Sequence, residues 1–136
     1  MNLEEFLKTI YVGDRFIKSI VIDSQKSELK IQINLISRIR SDDGLWNFYN
    51  DENIEDGLIV FTDVETFSFN PPGIIPNDEL YDWEITKLTD DESEYEIVLH
   101  MGSYNRCGEC REVTLTLNTK GVYLEDPLNP EVKICN

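Results

Sequence analysis

The sequence predicts a mainly β protein, an antiparallel sandwich or strongly curled sheet of about seven strands, with a short N-terminal amphipathic helix. Three observations carry this. Apolar and polar residues alternate in run after run, as in Leu29–Leu35, Tyr95–Met101 and Val113–Leu117. Turn-forming clusters such as Ser24–Ser27, Asp90–Ser93 and Asn118–Gly121 separate these runs at short intervals. Only the first dozen residues carry a helical period. At 136 residues the chain is long enough for one domain with a core of its own, so residues 1–136 are expected to form a single domain.

The helix is expected over about residues 3–11. Leu3, Phe6, Leu7 and Ile10 fall at i, i+3, i+4 and i+7, one apolar stripe. Asn2 followed by Glu5 fits an N-cap, the acids Glu4 and Glu5 suit the first turn, and Gly13 can end the helix in the left-handed region. A hairpin follows. Phe16–Asp23 is rich in Ile and Val, and Leu29, Ile31, Ile33 and Leu35 alternate with Lys30, Gln32 and Asn34. The alternation slips at Leu35 and Ile36, where a bulge would re-aim the strand and leave Arg38 and Arg40 pointing out of one end.

Ser41–Asp56 has no clear period. It holds Leu45, Trp46, Phe48 and Tyr49 between acidic and amide residues, and reads as an aromatic loop that closes one end of the core or offers a contact surface. The stretch Gly57–Asp78 organises the rest. Leu58–Phe61 is apolar on both faces, as in the middle strand of a sheet. Past Asp63 the pattern changes to alternation, with Phe67 and Phe69 on one face, so a central strand is expected to bend and continue through Phe69 before the chain leaves the sheet at Pro71 and Pro72, which cannot donate ladder hydrogen bonds. Further strands are expected around Trp83–Leu88, Tyr95–Met101, Val113–Leu117 and Val122–Leu124, and regular structure should end at Asp126-Pro127 and Asn129-Pro130. Phe61, Phe67, Trp83, Ile97, Leu99 and Leu115 are the expected core.

Charge is the unusual feature. The formal net charge is −15, which argues against nucleic acid and anionic membrane, both polyanions, as partners. Residues 1–50 hold seven acids and seven bases, residues 51–96 fifteen acids and one base (Lys87), and residues 97–136 five acids and four bases. The middle third thus supplies nearly all of the net charge. No segment approaches the ~18 apolar residues of a membrane span. Glu4 and Glu5 stand where a secretory leader carries bases, so a cytoplasmic, bacterial setting is expected.

Chemistry-bearing motifs are sparse. Cys107-Gly108-Glu109-Cys110 is half of a zinc ribbon, and Cys135 and His100 are the remaining soft ligands. With no second C-x-x-C, and strands rather than a helix on both flanks, the motif reads first as a turn that contains two thiols. The acidic loops at Asp42/Asp43, Asp51–Asp56, Asp78/Glu79 and Asp90–Glu92 contain no D-x-[DN]-x-[DN]-G calcium loop. His100, the only histidine, should face away from the core, with no nucleophile tied to it by spacing. Phosphate-binding glycine loops are absent. No enzyme and no cofactor are therefore expected.

Several structural signatures run through the chain: Asp56–Phe67, the Pro76–Asp78 turn, Glu94–Gly102, and the hairpin Val113–Pro127. With the amphipathic start, this layout resembles a group of small uncharacterised bacterial β-rich proteins, similar in turn to immunity proteins of polymorphic-toxin systems. The CGEC turn is not part of that pattern. The resemblance covers roughly residues 1–127 and carries no catalytic signature. It implies a compact binding protein that neutralises a cognate toxin.

Charge and resemblance together set the expected function: an acidic, non-enzymatic protein-binding module that meets a basic partner such as a toxin. Its expected surface is Trp46, Phe48, Tyr49, Glu52, Glu55 and Asp56. The alternative is a metal-binding module, with zinc at Cys107, Cys110, Cys135 and His100 or calcium at the acidic loops. Glu84, Glu94 and Glu96 should stand on the solvent side of their strands.

Overall fold

The computed structural model describes residues 1–38 and 53–135. Trp46, Phe48, Tyr49 and Glu52, four of the six residues expected at the partner surface, lie outside the described residues, as does Arg40.

Helix α1 (Leu3–Lys8) starts where its cap dictates: the Asn2 side chain accepts the Glu5 backbone N–H at 2.8 Å. Leu3, Phe6 and Leu7 are buried and turn the stripe onto the sheets. The helix is shorter than its period suggests. It closes at Thr9, and Ile10 instead makes a β-bridge with Arg38. Gly13 does take a positive φ of 95°, but in the loop beyond.

Eleven strands follow among the described residues. Five form one antiparallel sheet: β1 (Ile17–Asp23), β2 (Glu28–Ile33), β5 (Leu58–Thr62), β10 (Gly121–Asp126) and β11 (Asn129–Ile134), side by side in that order. Four form a second: β6 (Phe67–Asn70), β9 (Cys110–Thr119), β8 (Tyr95–Tyr104) and β7 (Leu80–Lys87), again in spatial order. The short strands β3 (Leu35–Ile36) and β4 (Ile54–Glu55) pair only with each other. Among the described residues no sheet closes into a barrel, so the architecture is sandwich-like, as the alternating pattern predicts.

One core joins the layers. Ile31, Ile33, Ile59 and Phe61 of the five-stranded sheet share it with Ile97, Leu99, Met101, Leu115 and Leu117 of the other, and with Phe6 and Leu7 of α1. β5 holds the middle of its sheet, which explains an apolar run on both faces. Ile59 and Phe61 enter the main core, whereas Leu58 and Val60 form a second cluster with Tyr123.

Several expectations are corrected. The strand through Leu58 does not continue to Phe69. It ends at Thr62, Asp63 turns with a φ of 52°, and β6 belongs to the other sheet. At the edge of that sheet Phe67 is 42% exposed rather than buried, and Trp83 on the opposite edge is half-buried. In place of a bulge at Ile36, the chain leaves β2 at Asn34, and β3 starts a new pairing with β4. Arg38 does not point outward. It is 3% exposed, its guanidinium carbon lies 4.6 Å from the Phe6 ring centroid, and its Nε donates to the Thr9 hydroxyl. Regular structure also continues past Asp126, since β11 accommodates Pro130 as an edge strand.

Candidate interaction surface

The inward residues of β7, β8 and β9 fix what the outer face of their sheet presents. Ile97, Leu99 and Met101 point inward, so Glu96, Val98 and His100 stand on the other side. Across the ladder, His100 lies opposite Asp82 on one side and Thr114 on the other. Its Nδ1 lies 3.1 Å from Glu112 Oε1 and its Nε2 3.5 Å from Glu84 Oε1. Glu84, Glu94 and Glu96 are all at least partly exposed, as expected. Alternation with the inward Trp83 also placed Asp82 outward, a residue the charge reading had not singled out.

Seven acids of the middle third follow β7 rather than gathering in one loop. Asp78 and Glu79 precede the strand, Asp82 and Glu84 stand on it, and Asp90, Asp91 and Glu92 form the turn after it, with Lys87 the single base in that span. Eight residues of strand at ~3.3 Å per residue separate the two loop groups by about 26 Å. Glu96 extends this stripe sideways onto β8. The turn is tightly tied. Asp91 accepts from the Ser93 hydroxyl at 2.7 Å, and these bonds from Ser93 and Thr89 hold its carboxyl below the usual range. Lys87 lies 3.7 Å from Glu92.

Glu55 and Asp56 stand apart from the stripe. Glu55 is exposed on β4, and Asp56 is engaged by the Lys18 ammonium at 2.6 Å.

The CGEC segment is the β8–β9 hairpin turn. Gly108 takes a φ of 80°, and the Asn105 side chain accepts the backbone N–H groups of Cys107 and Glu109. All three cysteines are free and exposed. Cys110 Sγ lies 3.8 Å from the Tyr81 hydroxyl and 3.9 Å from Asp78 Oδ2. Tyr81 and Asp78 both close over Gly102, where a Cβ would stand only 2.7 Å from the Tyr81 oxygen. The hydrogen bond to Cys110, with desolvation and the nearby acids, pushes the Tyr81 phenol up to about 12.

The structure does not bring together the four soft ligands. His100 sits mid-sheet between Glu84 and Glu112, Cys107 and Cys110 are at a hairpin tip, and Cys135 lines a hollow with Met1, Asn2 and Phe6. Among the described residues no group of three or more His, Cys, Asp or Glu side chains gathers to hold a metal ion, in the acidic loops or elsewhere. No helix there is long and apolar enough to cross a membrane.

Fold and surface thus define a small β-sandwich-like protein with one acidic edge and no assembled metal centre among the described residues. Over residues 1–136 the chain belongs to a family of unknown function, DUF6258. Neither the curated proteins nor the solved structures contain a match to it.

Proposed function

We propose that this chain is a non-enzymatic protein-binding module whose acidic edge receives a basic protein surface. The observation that carries the proposal is the stripe along β7: seven acids between Asp78 and Glu92 against one base, with Glu96 beside them. Like charges aligned on one edge oppose folding slightly, and a cationic partner relieves that repulsion while gaining association rate from steering. The resemblance to immunity proteins extends the reading to a particular role. A toxin that acts on nucleic acid carries a basic cleft, and a row of carboxylates can occupy positions meant for phosphates.

The test is co-expression with the product of the adjacent gene, followed by association kinetics. Changing Asp82, Glu84 and Glu96 together to Lys should slow association by on the order of tenfold or more, and wild-type association should slow with added salt. Association indifferent to both changes overturns the stripe as the binding surface.

A further inference from the structure

The four free edges of the two larger sheets are not equivalent. β7 carries Asp82 and Glu84 and a register shift between Leu80 and Asp82. β11 contains Pro130, Glu131 and Lys133, and β6 is only four residues long and runs into Pro71. Charge, proline, irregularity and shortness each discourage a further strand. β1 has little of this. Its register shift is confined to Ile17–Ser19, and its one base, Lys18, is held by Asp56. Ile17 N–H already donates to Asp78 O, so the free edge runs from Lys18 to Asp23. Val21 and Ile22 stand exposed on it.

A groove of about 440 Å3 lies beside this edge, lined chiefly by Ile17, Ile20, Phe69, Ile74, Ile75 and Pro76. Ile75 is 75% exposed. The groove is acidic at one end. At the Ile22 end a hollow of about 180 Å3 is lined by Asp23, Glu28 and Glu65 over Leu29, Val64 and Phe67.

We propose that the Lys18–Asp23 edge of β1 takes an added strand from a partner protein, an extended segment with apolar residues at alternate positions and a basic residue at the end that lies beside Asp23. Backbone groups of the segment continue the ladder, its apolar side chains enter the groove, and its terminal cation meets Asp23 and Glu65 in the hollow at the Ile22 end. A second copy of the chain is the poorer occupant, because each copy brings a net charge of −15. The proposal rests on reading the chain as a protein-binding module, but it uses a different edge from the β7 stripe.

The probe is a short synthetic peptide alternating valine and threonine, with lysine at one end. It is titrated into the 15N-labelled full chain at low salt. Shifts should concentrate on amides of residues 18–23 and 73–77. Ile75→Lys and Val21→Lys, both at exposed positions, should each weaken binding by at least about tenfold, as should glutamate in place of the basic peptide end. A peptide with proline at its centre should bind as poorly, since it lacks the ladder donor. Glu84→Lys should leave the titration unchanged, which separates this edge from the β7 stripe. Four results overturn the proposal: no shift at millimolar peptide, shifts confined to β7 and β8, equal binding of the proline peptide, or a dimer of the unliganded chain at low salt with β1 amides protected.

Discussion

Tyr95 and Tyr123 are both buried, and removing the hydroxyl from each should move stability in opposite directions. The Tyr95 side chain is in the main core, 1% exposed, and its oxygen has no hydrogen-bond partner. A buried hydroxyl without a partner costs about 1–3 kcal/mol on mutational scales. Tyr95→Phe keeps the ring and removes that cost, so it should stabilise by about 1 kcal/mol. Tyr123 instead donates to Glu28 Oε2 at 3.0 Å, and the other oxygen of Glu28 is already unpaired. Tyr123→Phe strands the whole carboxylate in a buried site and should destabilise by about 1–3 kcal/mol. Urea unfolding at neutral pH resolves both. With a slope of about 1–3 kcal/mol per molar, a change of 1 kcal/mol moves the midpoint by roughly 0.3–1 M. A loss of stability in Tyr95→Phe, or a gain in Tyr123→Phe, refutes the reasoning, because it would mean that the hydrogen-bond inventory of the two sites is wrong.

Two further outcomes follow from the core and its tyrosines. Phe61→Ala, in the middle strand and fully buried, should lose ~3–5 kcal/mol, read by the same unfolding assay. Stability should also fall at alkaline pH. Burial raises both Tyr95 and Tyr123 above the ordinary tyrosine value, and the Glu28 hydrogen bond raises Tyr123 further. The fold therefore holds these protons more tightly than the unfolded chain. The contribution is complete below pH ~10 and is lost as pH rises through the folded values. A variant with both tyrosines changed to Phe should show a flatter decline above pH ~10.

Local signals were legible where the responsible contacts are local. The Asn2 cap, the apolar stripe of α1, the alternation of β8 and β9 and the double-sided apolar run of β5 all reappear in the structure. Breaks set by distant residues were not. β5 and β6 part at Asp63 because Val64 N–H donates to Ser27 O, and the Asn118 side chain accepts the N–H groups of Glu65 and Thr66. Neither partner is near in sequence. Arg38 reads as solvent-facing because its charge dominates the pattern, but its stem and guanidinium cover Phe6. Pro130 reads as a terminator, and only the position of β11 at a sheet edge makes it tolerable. At the surface, counting charges located the acidic third, but strand parity was needed to find the stripe that part of it forms along β7. The apolar groove had a faint signal in Ile20, Val21 and Ile22, apolar on both faces of a strand that proved to be an edge.

The two edges also imply opposite responses to salt. The acids of β7 and the net charge of −15 keep copies apart, while the exposed Val21, Ile22 and Ile75 beside β1 would favour association. Salt shortens the Debye length from about 30 Å at 0.01 M to about 3 Å at 1 M, so it screens repulsion between copies without weakening apolar contact. Binding of the basic peptide should therefore weaken as salt rises, while weak self-association of the free chain should emerge over the same range. Sedimentation velocity across a salt series checks the second trend, and Ile75→Lys should suppress it. A chain that stays monomeric at every salt concentration would mean that geometry, rather than charge, guards the β1 edge, and an added strand from any partner would then meet the same obstacle.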